Sequence, residues 1–310
     1  MNQRGLLFIA VGVAATLLLV MAAERLPWFS LPLSLLVPFP AVYVHMVGGV
    51  WPGGGIIVLC FGILAALGGM GEAGGYLLQF GVGSFVLPFL LKRKWAWDRA
   101  VATTVAVVML GTFISLTGYA LYHDQNMGHL VEEYVGGQLE QARQIAKGSN
   151  FTPEQREELT LVLEKAGEFI RDTYPALALV TTAGALLFML LLLNSFPATA
   201  GDIHGCAFRA WSVTPWLIWV LIAGGFGLAF GTGLVKILAL NILVVLLPIY
   251  FVQGLALVAF FFWKKKFAPW FRTLGYVLIL TINPLPVLVT GLGVFDLWVD
   301  FRKPRIKKED

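Results

Sequence analysis

The sequence is poor in charge. Of its 310 residues only 13% are Asp, Glu, Lys or Arg, while 58% are hydrophobic. A soluble domain carries about 25% charge and is about half apolar. Charge this sparse cannot coat a soluble globule of this length, which argues against a soluble enzyme, a nucleic-acid binder and a disordered chain. Cysteine is nearly absent too. Cys60 sits midway along an apolar run and Cys206 in a polar loop, so no disulfide framework is expected. There are four histidines, and no Cys or His pair has metal-ligand spacing, so neither a metal centre nor a cofactor is expected. No nucleophile elbow, Walker loop, HExxH or paired-carboxylate pattern occurs. Serine, histidine and acids are too few inside the apolar runs to build a hydrolase, and the expectation is a non-enzyme.

What is abundant is apolar sequence, with a mean hydropathy of +0.80. A helix needs about 20 residues to cross ~30 Å of hydrocarbon. Runs of about that length cover 5–23, 32–50, 54–70, 74–91, 100–122, 175–196, 212–230 and 235–263, and a last apolar stretch covers 273–298. The expected fold is an all-α polytopic transmembrane bundle of eight or nine spans. The first run, from Gly5 to Ala23, ends on Met21-Ala22-Ala23 like a signal peptide. It is long enough to span and many more runs follow, so an uncleaved first helix is expected.

The few charges are sorted by position. Thirteen of the 22 bases fall in three clusters, at 92–99, 264–272 and 302–308. Bases are retained on the cytoplasmic side. Four runs precede the first cluster and four separate it from the second, which places the N-terminus inside a bacterial cytoplasmic membrane. Residues 123–174 hold ten acids against five bases, and the same parity places them outside. The chain thus divides into N-terminal spans over 1–122, an acidic extracytoplasmic segment over 123–174, C-terminal spans over 175–298 and a basic cytoplasmic tail over 299–310. The third cluster breaks the parity. Either Asn283-Pro284-Leu285-Pro286 breaks the last stretch into a re-entrant or sharply bent pair, or a simple ninth span leaves the tail outside. The 33 residues of 231–263 contain Pro248 and must tilt, kink or divide.

The acidic segment patterns as a helical hairpin. Val131, Tyr134, Val135, Leu139, Ala142 and Ile145 form one stripe; Leu159, Val162, Leu163, Ala166, Phe169 and Ile170 form a second. Gly148-Ser149-Asn150 is a stop between them, and Thr152-Pro153-Glu154-Gln155 is a capping-box start with proline at the first helical position. Asn150-Phe151-Thr152 has the glycosylation pattern, a weak signal. The hairpin either connects two spans or docks a membrane or periplasmic protein through residues 126–172.

Polar groups at membrane depth are expensive, so each is a candidate site. His45, Asn241, Gln253 and Asn283 are the candidates to line a small-molecule pocket; the three amides equally serve as glue between helices. Glu72, in a glycine-rich turn, is a gate or a solvated residue. The segment Gly293-Val294-Phe295-Asp296-Leu297-Trp298-Val299-Asp300-Phe301-Arg302-Lys303 sets Asp296 and Asp300 four residues apart on one helix face. Arg302 does not easily share that face, while Arg99 or Lys264 could reach it from other cytoplasmic ends. Asp296, Asp300 and Arg302 are candidates for a helix latch. Asp202, His204, Cys206 and Arg209 have the look of a metal cluster but fit no standard ligand spacing.

Two segments carry a resemblance. Tyr250-Phe251-Val252-Gln253-Gly254-Leu255-Ala256 with Phe260-Phe261-Phe262, and the closing Gly-x-Phe-Asp296-x-Trp298-x-Asp300-Phe301-Arg302-Lys303, resemble recurring segments of the YybS-like (DUF2232) family of bacterial polytopic membrane proteins. That family has been grouped with the substrate-capture subunits of energy-coupling-factor vitamin transporters. The resemblance implies a similar helical core and a small-molecule pocket, with no catalytic residues to carry over. Two functions follow as expectations. One is transport-related binding of a small molecule within the bundle. The other is a scaffold that organises cell-envelope partners through the external hairpin or the C-terminal tail.

Overall fold

Inside a bilayer each backbone N–H and C=O must be satisfied within its own segment, so apolar runs become helices. The computed structural model describes residues 3–147, 152–299, 301 and 302. In chain order its helices are α1 (Gln3–Arg25), α2 (Ser30–Leu36), α3 (Phe39–Gly48), α4 (Val50–Tyr76), α5 (Val82–Lys92), α6 (Trp97–Tyr122), α7 (Met127–Lys147), α8 (Pro153–Ser195), α9 (Pro197–Ala200), α10 (Leu217–Phe230), α11 (Leu234–Lys264), α12 (Pro269–Thr281) and α13 (Leu285–Val299). Among the described residues there is no β-strand, and the all-helical class stands.

The chain forms two units, Met1–Val131 with Thr181–Gly205, and Glu132–Val180 with Cys206–Asp310. In the first unit, α1 and α3 pack on α4, and α5 packs on α3 and α6. Ile9, Val37, Ala41, Val44, Ile56, Cys60 and Leu64 belong to its buried core. Two glycines shape this unit. Gly49 (φ 93°, ψ −179°) and Gly69 (φ 87°, ψ 178°) share one backbone conformation, in a region that only glycine enters readily. A five-residue π-helical turn over Leu77–Gly81 joins α4 to α5, giving a largely apolar stretch of 43 residues from Val50 to Lys92. This stretch does not run straight. A Cβ on Gly54 would lie 3.5 Å from Phe85, and one on Gly81 would lie 3.1 Å from Ile57. A straight helix would hold those pairs about 46 Å and about 36 Å apart. The chain therefore reverses at Gly69, and the two halves pack antiparallel. Gly49 produces the same reversal between α3 and α4, bringing Gly53 against His45.

Among the described residues, six helices are long and apolar enough to cross a membrane, or seven if α12 and α13 together make one span. The expected eight or nine exceeds this count for two reasons. The runs 54–70 and 74–91 are one continuous apolar stretch in this count, divided only by the reversal at Gly69. The run 212–230 yields a helix of 14 residues, about 21 Å long. A straight helix over 273–298 is not what the structure shows: α12 and α13 are bent by 103° at a short break, which makes them one broken span or a re-entrant pair, and Asn283-Pro284 there is a cis peptide. The sharply broken alternative is the one observed. Most residues of the six spans are not buried, which leaves wide apolar surfaces such as Leu67 and Leu110 facing outward. Lipid is the solvent that suits them.

In the second unit, α11 packs on both α10 and α13, around Ile218, Leu246 and Tyr250. Between α7 and α8, Val135 is buried and Leu139 covers Gly167, with ion pairs Arg143–Glu164 at 3.2 Å and Arg171–Glu132 at 3.9 Å. The capping box forms as written. The Thr152 N–H donates to Gln155 Oε1 at 3.0 Å, and the Gln155 N–H to Thr152 Oγ1 at 3.3 Å. The second stripe is only partly used, because Val162, Phe169 and Ile170 are exposed. The stop at Gly148-Ser149-Asn150 and the glycosylation pattern at Asn150-Phe151 lie outside the described residues, as do the side chains of Tyr134 and Ile145. The helix α8 runs unbroken through residues 174 and 175.

Candidate functional site

The site grows from a close helix crossing. A Cβ on Gly254 of α11 would overlap the carbonyl oxygen of Val289, and one on Gly293 of α13 would overlap that of Tyr250. Backbone thus touches backbone, which only glycine on both sides allows. The crossing fixes the register of the two helices and sets two polar side chains together. Gln253, beside the first glycine, and Asp296, three residues past the second, are both buried. Gln253 Nε2 donates to Asp296 Oδ2 at 3.5 Å. Gln253 Oε1 accepts the Val213 N–H at 3.0 Å, which ties the connection before α10 to α11.

Arg302 closes the cluster. The helix α13 ends at Val299, and Phe301 and Arg302 lie in a turn. The guanidinium therefore reaches back, placing Nη2 3.3 Å from Asp296 Oδ2, while Nη1 donates to the Trp211 carbonyl at 2.9 Å. The two charged side chains are 7% and 16% exposed. This corrects the expectation that Arg302 could not easily share the Asp296 face. That expectation assumed a helix continuing through 302; the turn removes the constraint. Water is scarce here, so each charge depends on the other. The cluster also has spare capacity. Among the described residues, Asp296 Oδ1 and Arg302 Nε and Nη2 are buried without a hydrogen-bond partner. Nη2 is near enough to Asp296 for an ion pair but is not aligned for a hydrogen bond.

The other sequence candidates lie elsewhere. Asn241 donates to the Asp172 carbonyl at 2.7 Å and the Ile237 carbonyl at 2.9 Å, joining α11 to α8. It sits 12 residues from Gln253 on α11, about 18 Å along the axis. Asn283 is exposed at the break between α12 and α13. His45 belongs to the first unit; its ring is fully buried against Phe85, with centroids 5.4 Å apart, and neither ring nitrogen has a partner. Glu72 is exposed, with its carboxylate folded over Gly68 at the reversal. Asp300 lies outside the described residues. Asp202 forms an ion pair with Lys92 at 2.7 Å, and the His204 Nδ1 lies 2.8 Å from the Asp202 carbonyl. So Gln253, Asp296 and Arg302 come together, while Asn241 and Asn283 of the same unit do not join them among the described residues. Sequence reasoning missed two parts of the cluster, the Trp211 carbonyl and the Val213 N–H. Both are backbone groups of a connecting segment and leave no side-chain signal.

The family profile described as "Predicted membrane protein (DUF2232)" matches residues 14–297. The chain belongs to the DUF2232 family. The matched range contains both glycines of the crossing and both Gln253 and Asp296, and it ends short of Arg302. Among the curated proteins and among the solved structures, nothing matches the chain. Family and helices together make this DUF2232 chain a membrane protein with several apolar helices in contact with lipid.

Proposed function

We propose that this chain is a non-catalytic integral membrane protein that binds a small molecule within its second unit, in a role related to transport. The observation that carries this reading is the spare hydrogen-bonding capacity of the buried Asp296–Arg302 pair. Asp296 Oδ1 offers an acceptor, and Arg302 Nε and Nη2 offer donors. A ligand that presents a donor beside an acceptor, such as a primary amide or a heterocyclic lactam, satisfies both sides at once. Unsatisfied buried polar groups favour such a ligand strongly over an apolar one of the same shape. The bend of 103° between α12 and α13 supports the same reading, because broken helices are where transporters build binding sites.

The test is a thermal-shift screen of the purified protein against a library of small amides, lactams and carboxylates. We expect at least one compound to raise the melting temperature of the wild type and to lose that effect in Asp296→Asn and Arg302→Gln. If no compound shifts the wild type, or if the variants respond as the wild type does, this assignment is wrong.

A scaffold role has one observation of its own. Leu161, Val162, Phe169 and Ile170 are exposed on the acidic hairpin, where a folded hairpin in water would hide them. A membrane or periplasmic protein with a basic, partly apolar face would cover them. Pull-down before and after deletion of residues 126–172, with membrane insertion checked, separates this reading from the first.

The proposal also orients the chain. In the bacterial cytoplasmic membrane the N-terminus, the 92–99 cluster and the 264–272 cluster face the cytoplasm, and residues 123–174 lie outside. The positive-inside rule supports this, as does the reversal at Gly69, which returns Lys92 to the side of Gly49.

A further inference from the structure

At the junction of α11 and α12 the chain leaves the apolar region and turns. Trp263, Lys264, Lys266 and Arg272 line a cleft of about 360 Å³ there. The guanidinium of Arg209 stacks over the Trp263 ring at 4.6 Å, adding a fourth cation to its edge. Among the described residues, none of these four cations forms an ion pair. The contrast with the first unit is direct, since Lys92 is neutralised there by Asp202 at 2.7 Å.

The cleft is held rigidly. Phe267 stacks on Phe271 at 4.7 Å, and Phe262 meets Phe267 at 5.6 Å and Tyr276 at 5.5 Å. A Cβ on Gly275 would lie 2.6 Å from Phe262, so the aromatic frame has no slack. Arg272 Nε donates to the Phe267 carbonyl at 2.8 Å, which anchors the guanidinium inside the turn. Lys266 sits at φ 53°, a left-handed backbone conformation that a lysine adopts only under constraint. The turn thus fixes Arg272 beside the cleft, Lys264 Nζ lies over the Phe260 ring at 5.7 Å, and Lys266 stands exposed next to them.

We propose that this cleft binds a phosphate-bearing anion, with Lys264, Lys266 and Arg272 as its ligands. The depth of the cleft favours a phospholipid headgroup as the source. An apolar helix of 31 residues ends at Lys264, and Trp263 and Trp270 are both exposed beside it. Tryptophan collects at the headgroup level, and basic pockets at that depth recognise anionic lipid headgroups. The outward-facing phenylalanines of the same turn suit the acyl chains. This site is independent of the Asp296–Arg302 cluster, and neither assignment depends on the other.

The experiment is native mass spectrometry of the full chain, released from micelles doped with phosphatidylglycerol or with phosphatidylcholine. Wild type is compared with Lys264→Gln/Lys266→Gln, with Arg272→Lys, and with a control that removes two bases elsewhere, Arg93→Gln/Lys94→Gln. Inorganic phosphate is added as competitor in a parallel series. Thermal unfolding confirms that each variant is folded. We expect retained phosphatidylglycerol adducts, no retained phosphatidylcholine, and a loss of about fivefold per lysine, about 25-fold for the pair. Arg272→Lys keeps its charge but loses the planar fork and weakens binding less than the double variant does. Phosphatidylglycerol adducts that resist millimolar phosphate identify the lipid as the source. Adducts displaced by phosphate keep the site and make the free anion its ligand. Equal adducts in wild type and Lys264→Gln/Lys266→Gln overturn the proposal. So does an equal loss in the Arg93→Gln/Lys94→Gln control, since that outcome means diffuse attraction to any basic surface.

Discussion

At the scale of the residue, a polar group in lipid is costly unless something answers it, and Asp296 and His45 show the two cases. Asp296 and Arg302 answer each other at 3.3 Å, largely shielded from water. Removing one partner strands the other, so Asp296→Ala and Arg302→Ala should each destabilise by about 3–5 kcal/mol. The double variant should lose far less than the sum, because neither charge is then stranded. Equilibrium unfolding in mixed micelles measures this cycle, and simple additivity would mean that the pair is not coupled. His45 is the opposite case, buried with both ring nitrogens unpartnered. Replacing it by leucine removes an unanswered polar group at similar volume. We expect His45→Leu to be neutral or to stabilise by about 1 kcal/mol, where an ordinary core-to-apolar exchange of a hydrogen-bonded histidine would destabilise. Each of these residues stood out in the sequence as a polar group in an apolar run. Their partners did not. Gln253 and Asp296 are 43 residues apart, and no periodicity links positions on different helices. The pairing of Asp296 with Arg302 is not legible in the sequence, because the end of α13 at Val299 has no stop signal such as a glycine or a proline at that point.

At the scale of the element, glycine decides where helices turn and where they touch. Gly254 and Gly293 allow α11 and α13 to meet at their backbones, so Gly254→Ala or Gly293→Ala must push the helices apart. Overpacking of this kind costs about 1–3 kcal/mol, and here it also lengthens the Gln253–Asp296 contact. Gly291→Ala is the matched control. It lies on the same helix with nothing within 4 Å of an added Cβ, and should be neutral or stabilising by up to about 1 kcal/mol. If all three alanine variants unfold alike, the crossing does not carry the packing assigned to it. Gly49 and Gly69 act differently, through backbone conformation rather than contact, since nothing lies within 4 Å of either added Cβ. The sequence displays these glycines as an abundance of 34. It could not separate the ones that turn the chain from the ones that merely sit in a helix, because that distinction lies in φ and ψ. The same holds for the last apolar stretch. Asn283-Pro284-Leu285-Pro286 shows where a break falls, while the size of the bend, 103°, is not written in the residue types.

At the scale of the whole molecule, the sequence was most informative where charge was scarce. Few bases remained, so their clustering carried a topology, and that topology can be tested where it is least obvious. By length, the 43 residues of Val50–Lys92 form one very long helix that crosses once. The contacts of Gly54 with Phe85 and of Ile57 with Gly81 require two antiparallel halves. The two cases place Gly49 and Lys94 on opposite sides of the bilayer or on the same side. Reporter fusions truncated after residues 49, 70, 94 and 125 decide between them. A reversing chain with a cytoplasmic N-terminus gives alkaline phosphatase activity after 70 and 125 and none after 49 and 94, while a fluorescent protein fused at 49 and 94 is bright. A single crossing makes 49 and 94 differ. The Gly69→Val variant sharpens the result, because a β-branched residue is strongly disfavoured at φ 87°. If the reversal depends on that one backbone conformation, Gly69→Val fused after residue 94 should lose part of its cytoplasmic signal and gain phosphatase activity. If the flanking charges alone set the topology, the pattern stays as in the wild type and the valine appears only as lost stability. Either result says which of the two, a glycine turn or a basic cluster, fixes the path of this chain through the membrane.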